Sequence, residues 1–179
     1  MTAAISIFTF VYLSIGIIYF GSKKRHYNHI KDTISELAET GSDHEKVVSY
    51  ALFLPVGILL FIIGFIGQGE ILKGLCYCLG TGYVVTAFFP CDAGSPLTGS
   101  AKQIVHNVAG VIEYAGGLFF LWQAAEKNMQ FFLADYKTIS VVILIGILII
   151  SIPKNPVRGL VQRITELVLF ASVIYLSLA

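Results

Sequence analysis

Polar residues recur at helical spacing inside one of the apolar stretches of this chain. Gln103, His106, Gly110, Glu113 and Gly117 are three or four residues apart, which places them on one face of a helix. An ionisable side chain near the bilayer centre costs about 2.5–3.5 kcal/mol on insertion scales, so it needs a partner or a function. His106 and the deeper Glu113 are therefore candidates for a proton carrier, a ligand site or a general base.

Glu113 also has a structural alternative, a neutral carboxyl group hydrogen-bonded to a tyrosine. The first apolar stretch carries a stripe at helical spacing that would supply this tyrosine: Thr9, Tyr12, Gly16 and Tyr19.

Asp92 lies in a predicted turn, between the helix-ending Pro90 and the turn-forming Gly94. The turn holds Asp92 at the membrane interface, 14 positions before His106. A carboxylate beside an imidazole fixes its tautomer and raises its basicity. With water or Ser35 as the nucleophile, His106 and Asp92 would form a hydrolytic site, and in the alternative Asp92 only caps a turn.

A short amphipathic segment between the first two apolar stretches carries two polar candidates, Ser35 and Glu36. We expect both to face the bundle while Ile34 and Leu37 insert into the lipid interface. In the alternative, the segment is a plain surface helix and Glu36 only completes a capping box with Thr33.

Arg163 is the candidate for binding an anionic head group. Its guanidinium group is planar, always charged and suited to paired hydrogen bonds with phosphate. The alternative is an ion pair with Glu166, three residues further along the same helix face.

The sequence predicts no metal site and no cofactor. His26 and His29 are three residues apart, as zinc ligands can be, but the flanking lysine and arginine side chains repel a dication. An ion site formed by Glu36, Asp92 and His106 is the alternative.

Six apolar stretches must position these side chains. They cover residues 3–20, 48–67, 71–89, 103–123, 138–152 and 160–178. About 20 helical residues cross a hydrocarbon core about 30 Å thick. The sequence therefore predicts an all-α fold, a polytopic integral membrane bundle of six transmembrane helices. Residues 1–179 form one domain, with a short interfacial helix in the first cytoplasmic loop.

Composition supports this class and excludes others. Hydrophobic residues make up 56% of the chain and charged residues 13%, against about 25% charged in soluble domains. The mean hydropathy is +0.79. A net charge of +1 and the lack of a long basic block exclude nucleic acid as a partner.

Capping residues predict where four helices begin. Capping boxes starting at Thr33, Ser42 and Ser100 begin the short helix, the second span and the fourth span. Asn155 followed by Pro156 predicts the start of the sixth span.

Two further patterns concern helix length and packing. The fifth stretch reaches full spanning length only if 131–133 join it or if it is tilted little. Gly57 and Gly64, like Gly110 and Gly117, are seven residues apart and predict faces where helices approach closely.

Basic residues predict the orientation of the bundle in the cell inner (plasma) membrane. The loops after the second and fourth spans hold three: Lys73, Lys127 and Lys137. The loops after the first, third and fifth spans hold nine: Lys23, Lys24, Arg25, Lys31, Lys46, Lys102, Lys154, Arg158 and Arg163. The nine-residue side is thus predicted to be cytoplasmic, with both termini outside and the polar candidates gathered at the cytoplasmic face.

The chain also resembles a known family. The resemblance rests on four motifs: Ile34-Ser35-Glu36-Leu37 with Gly41, Phe89-Pro90-Cys91-Asp92 with Gly94, His106, and Gly159-Leu160-Val161-Gln162-Arg163. In these motifs the chain is similar to the domain-of-unknown-function 998 family of small bacterial and archaeal membrane proteins. The resemblance covers nearly the whole chain and implies a six-helix membrane protein, but no activity.

Three functions follow from the polar residues. The first is binding of a membrane lipid or small amphipathic ligand at a cytoplasmic-face pocket lined by Glu36, Asp92, His106, Glu113 and Arg163. The second is an intramembrane lipid hydrolase or transferase that uses His106 and Asp92, although no nucleophile elbow or HExxH motif is present. The third is a proton-coupled carrier that uses Glu113. Such a carrier would be a homo-oligomer, because six helices are few for a transporter.

Overall fold

The computed structural model of the protein describes residues 1–131 and 134–178, and its helices follow the apolar stretches. Their bounds are α1 (Thr2–Lys23), α2 (Glu45–Ile66), α3 (Glu70–Phe88), α4 (Ala101–Glu126), α5 (Tyr136–Ile150) and α6 (Arg158–Leu176). A 3-10 helix (Ser35–Ala38) lies between α1 and α2. Two short antiparallel strands precede α5, β1 (Gln130–Phe131) and β2 (Ala134–Asp135).

Five of the helices in the described ranges, all but α5, are long and apolar enough to cross a membrane. α5 is apolar but has 15 residues, which extend about 22 Å. Large apolar side chains cover the outside of the bundle, for example Phe65, Ile18 and Val111, which are 80%, 66% and 64% exposed. Such a surface suits lipid and not water, so the fold is that of an all-helical membrane protein.

The helices form a ring in chain order. Each helix contacts the next one along the sequence, α6 returns to α1, and α3 meets α6 across the centre. Fully buried apolar side chains such as Leu60, Leu75 and Ile143 fill the interior. The ring brings the loops at 24–44, 89–100 and 151–157 to one end, where the polar candidates lie.

The first turn of α6 is bonded directly to the loop that follows α1. The backbone N–H groups of Gly159 and Leu160 donate to the carbonyls of Lys31 and Ile30, at 3.2 and 2.9 Å. A side chain at position 159 would overlap the Asp32 carbonyl, so glycine is required there. These bonds satisfy donors that a helix start leaves free, and they fix the loop against the bundle.

The capping predictions at Thr33 and Ser100 are confirmed. The Thr33 backbone N–H and hydroxyl donate to Glu36 Oε1 at 3.1 and 2.9 Å. The Gln103 N–H donates to the Ser100 hydroxyl at 3.2 Å, which begins α4.

The other two predicted helix starts are wrong. The Ser42 hydroxyl is buried without a partner, and Glu45 instead accepts a hydrogen bond of 2.7 Å from the N–H of Gly41. The Asn155 side chain accepts from Val157 N–H at 3.0 Å within a turn, and α6 begins one residue beyond Val157. At Asn155 a turn uses the oxygen that the pattern assigned to a helix cap, whereas the Ser42 hydroxyl caps no helix.

The region before α5 is also different from the prediction. Phe131 belongs to β1 and does not extend α5, while 132 and 133 lie outside the described residues. Asp135 begins α5, because its carboxylate accepts from the Thr138 N–H at 2.8 Å.

The expected lipid anchors of the 3-10 helix are core residues. Ile34 and Leu37 are only 3% and 1% exposed, so they point into the bundle and not into lipid. The whole segment is therefore folded onto the helix ends, and Ser35 and Glu36 are only partly exposed beside them.

A proline inside α2 has a compensating contact from α1. Pro55 has no N–H to donate to the Ala51 carbonyl four residues earlier, and the helix widens to a π-type turn over Ser49–Phe53. The Tyr12 hydroxyl donates to the Ala51 carbonyl. This contact joins α1 to α2 within the apolar region.

Three of the four spaced glycines allow close packing, as predicted, and the fourth does not. A methyl group on Gly57 would lie 2.9 Å from the Val84 backbone N, and Gly64 and Gly117 are similarly close to side chains of other helices. An added carbon on Gly110 would meet nothing within 4 Å. Gly110 therefore borders open space.

We expect Gly57→Ala to destabilise the bundle, because the rigid backbone of α3 cannot move away from the new methyl group. Overpacking of this kind costs about 1–3 kcal/mol. Gly110→Ala is the matched control and should leave stability unchanged or raise it, since alanine favours helix. Thermal unfolding midpoints in detergent test this, and equal midpoints for the two variants would contradict it.

Candidate ligand-binding site

A polar cavity of about 200 Å³ lies between α4, α5 and α6 at the end where the three loops meet. Its walls combine loop residues with side chains from the helices. The polar lining residues include Thr33, Ser35, Ser95, His106, Asn107, Glu113, Tyr114, Arg158 and Gln162. The cavity brings together Ser35, His106 and Glu113 of the residues singled out in the sequence, and it does not include Glu36, Asp92 or Arg163.

Arg158 is the buried cation of the cavity, with 8% of its surface exposed. Its Nε donates to the Ile150 carbonyl at 2.8 Å, and Nη1 donates to the Ser95 and Gly94 carbonyls at 2.9 and 3.3 Å. Glu36 Oε1 lies 3.9 Å from Nη1. Among the described residues, no acceptor meets Nη2, which leaves one charged donor for a ligand.

Glu36 has both of the roles considered for it. Its carboxylate caps the 3-10 helix by accepting from Thr33, and it also forms the long ion pair with Arg158. Burial raises the pKa of Glu36, while the hydrogen bonds from Thr33 act in the opposite direction. Glu36 therefore balances Arg158 from outside the lining of the cavity.

His106 is buried and has a defined tautomer. Its Nδ1 lies 3.1 Å from the Phe89 carbonyl oxygen, which can only accept, so Nδ1 carries the hydrogen. In the neutral ring, Nε2 is then the acceptor. The backbone of Phe89, and not a carboxylate, orients this histidine.

Asp92 does not fulfil the orienting role predicted for it. Its two carboxylate oxygens accept from the N–H and the hydroxyl of Ser100, both at 2.7 Å. These bonds lower the pKa of Asp92, and they make Asp92 the support of Ser100, which caps α4. Within 1–131 and 134–178, no hydrogen bond joins Asp92 to His106, and Asp92 does not line the cavity.

Arg163 lies on a different face of α6 and holds a loop. Its Nη1 donates to the His29, Asp32 and Gly159 carbonyls at 2.7–2.9 Å, and Nη2 donates to the Tyr27 hydroxyl at 2.5 Å. The predicted ion pair with Glu166 is wrong, because backbone carbonyls take its place. Both terminal nitrogens are used, so Arg158 and not Arg163 faces the polar cavity.

Glu166 and Glu113 form a buried acidic pair beside the cavity. Tyr83 and Tyr114 donate to the two oxygens of Glu166 at 3.0 and 2.7 Å. The two carboxyl groups lie within hydrogen-bonding reach of each other. The tyrosine partner predicted for Glu113 from α1 is wrong, since Tyr12 bonds α2 and the nearby tyrosines of α3 and α4 donate to Glu166.

Gln162 connects this pair to the loop. Its side-chain N–H donates to the Tyr114 hydroxyl at 2.9 Å, and its oxygen accepts from the Ile34 N–H at 2.6 Å. A continuous hydrogen-bonded chain therefore runs from the start of the 3-10 helix through Tyr114 to Glu166. Sequence reasoning missed Gln162 and Tyr114, although the four-residue spacing of Gln162 and Glu166 on one helix face was a usable signal.

Ser35 lies on the cavity wall next to Cys91. The Cys91 thiol donates to the Ser35 carbonyl at 3.5 Å, and burial raises the pKa of Cys91 to about 12. Cys91 is thus a neutral packing residue and not a nucleophile.

In the part of the chain that the structure describes, no group of three or more His, Cys, Asp or Glu side chains is placed to hold a metal ion. The candidate sets with His26 and His29, or with Glu36, Asp92 and His106, fall within that part.

The fold and the cavity define a class, the small apolar helical bundle of the membrane with a polar site at one end. The chain belongs to the family described as "Protein of unknown function (DUF998)", which matches residues 5–179. The predicted resemblance is therefore confirmed over nearly the whole chain. No curated protein and no solved structure matches it.

We expect Arg158→Ala to release the loop at 89–100 from the bundle. Three carbonyls lose a charged donor, and one unpaired buried polar group costs about 1–3 kcal/mol. The free energy of unfolding should therefore fall by about 2 kcal/mol or more. Limited proteolysis of that loop and the unfolding midpoint measure the effect. Arg25→Ala, at an exposed arginine, is the control, and equal behaviour of the two variants would contradict the assignment.

Proposed function

We propose that the protein binds an amphipathic, lipid-like ligand and holds its polar head in the cavity next to Arg158, His106 and Glu113. This proposal rests on the apolar groove that adjoins the polar cavity on the outside of α4. Leu97, Asn107 and Val111 line both spaces. A molecule with a polar head and an apolar tail matches the two surfaces at once.

The groove has a volume of about 280 Å³ and faces the lipid. Its other walls are Ile104, Val108 and Ile112, which are 56%, 55% and 41% exposed. No polar group except Asn107 interrupts this lining, so an acyl or alkyl chain can lie along α4 without burying an unpaired polar atom.

The head would meet several groups that differ in charge. Arg158 Nη2 offers a charged donor, His106 an imidazole, and Glu113 a carboxyl group. Ligand sites in proteins are typically apolar with a few convergent polar groups of this kind.

The contacts favour binding over the hydrolytic alternative. Catalysis by His106 and Asp92 required the two to be paired, and Asp92 is instead used by Ser100. Transport through Glu113 has support only from its position beside the cavity, and it would need Glu113 to reach both sides of the membrane.

The orientation belongs to the same proposal. We place α5 as a sixth, short span, with the three polar loops and the cavity on the cytoplasmic side of the inner membrane and both termini outside. The 3-10 helix then lies at the cytoplasmic interface. Nine of the twelve lysine and arginine residues support this orientation.

Cysteine labelling in intact cells tests the orientation. Lys154→Cys lies in the loop after α5, and we expect an impermeant maleimide to label it only after the membrane is opened. Lys127→Cys lies between α4 and β1 and should be labelled in intact cells. The reverse pattern would overturn the cytoplasmic placement of the cavity.

A cavity-filling substitution tests the binding function. Gly110→Leu projects a side chain into the open space, and we expect retained lipid to fall at least about tenfold, equivalent to 1.4 kcal/mol. Mass spectrometry of lipids extracted after gentle detergent purification measures it. Ala4→Leu adds the same bulk on the exposed side of α1 and should change nothing. Undiminished lipid in the folded Gly110→Leu protein would reject the proposal.

A further inference from the structure

We propose that the polar head of the ligand bears a protonated primary amine, which binds Glu113 in a small cleft beside the polar cavity. This inference rests on the proposed binding function and adds the chemical class of the head. The cleft adjoins the cavity, and Glu113, Tyr114 and Gln162 line both.

The first observation is that Glu113 has no donor of its own. It is 7% exposed, yet within the described ranges no N–H or O–H group of the protein donates to it. Both nearby tyrosine hydroxyls donate to Glu166 instead. The neighbour of Glu113 within hydrogen-bonding reach is the Glu166 carboxyl group. Buried polar groups normally use all of their hydrogen-bonding capacity, so Glu113 keeps acceptor capacity for a ligand.

The second observation concerns charge. The ion pairs of the described residues are Lys24 with Glu39 and Arg158 with Glu36, so no lysine or arginine pairs with the two buried carboxyl groups. One proton shared between Glu113 and Glu166 would still leave one negative charge. A cation from the ligand would neutralise that charge in a medium where an unpaired ion is costly.

The third observation is the size and lining of the cleft. Its volume is about 20 Å³, enough for one water-sized group, and a primary ammonium group is of that size. Phe53, Tyr83 and Tyr114 contribute aromatic walls, and aromatic faces attract cations. A trimethylammonium group is too large for this space.

The geometry also connects the amine to the tail. Glu113 and Val111 both line the polar cavity, and Val111 lines the apolar groove as well. An amine in the cleft is therefore continuous with a chain that leaves the bundle along the outer face of α4. Arg158 at the loop end would meet any acceptor that the head carries.

Three amphiphiles with the same chain distinguish the possibilities. Dodecylamine, dodecyltrimethylammonium and dodecanol are added to the full-length protein in a nonionic detergent, and bound ligand is counted by native mass spectrometry. We expect dodecylamine to bind at least about tenfold more tightly than the other two. Glu113→Gln should reduce dodecylamine to the level of dodecanol, while Glu70→Gln, at an exposed acid, should leave the preference intact.

Each other outcome has a definite meaning. Equal binding of dodecylamine and dodecanol to the wild-type protein, or an amine preference that survives Glu113→Gln, overturns the amine assignment while the binding function stands. If the preference for dodecylamine is lost in sodium chloride but kept in choline chloride at equal ionic strength, the cleft is an inorganic cation site. That result also overturns the amine assignment. No binding of any amphiphile refutes the proposed function itself.

Discussion

The guanidinium group of Arg158 determines the shape of the polar end of this protein. It donates to the carbonyl of Ile150 at the end of α5 and to the carbonyls of Gly94 and Ser95 in the loop at 89–100. It also faces Glu36 in the loop at 24–44. Backbone carbonyls near a membrane interior need donors, and one planar cation serves three of them. These contacts tie the three segments together at the wall of the cavity.

The two buried glutamates show how neighbouring identical groups acquire different roles. Glu166 accepts from two tyrosines and is linked through Gln162 to the backbone of Ile34, so it belongs to the scaffold. Glu113 faces the cavity, and apart from the Glu166 carboxyl group it meets no hydrogen-bonding partner in the described part of the chain. The scaffold thus holds one carboxyl group in place and leaves its neighbour available, which is the arrangement expected of a pre-organised binding site.

The helices were predictable from the sequence because a bilayer requires long apolar segments, and each of the six appeared within a few residues of its predicted position. Polar candidates were located correctly where helical spacing decided the matter, as for His106 and Glu113. Errors arose where a side chain had a choice of partners. Arg163 was assigned to Glu166, Asp92 to His106 and Ser42 to a helix cap. In the folded chain Arg163 bonds backbone carbonyls, Asp92 bonds Ser100, and the Ser42 hydroxyl has no partner among the described residues. Such choices depend on loop packing, which local patterns do not encode.

The hydrogen bond from Tyr12 to the Ala51 carbonyl, which Pro55 leaves without an N–H donor, affects the rotation and depth of α1. Almost every side of this helix is apolar, and few of its side chains are buried. The surrounding lipid hydrocarbon therefore favours no particular rotation or depth of α1. The tyrosine hydroxyl and, nearer the N-terminus, the Ser6 hydroxyl bonded to Ser177 at 2.9 Å supply the missing preference. Moving α1 by a single turn would break both contacts and leave the Tyr12 hydroxyl unpaired in hydrocarbon, so these contacts favour one vertical register of the 22-residue helix.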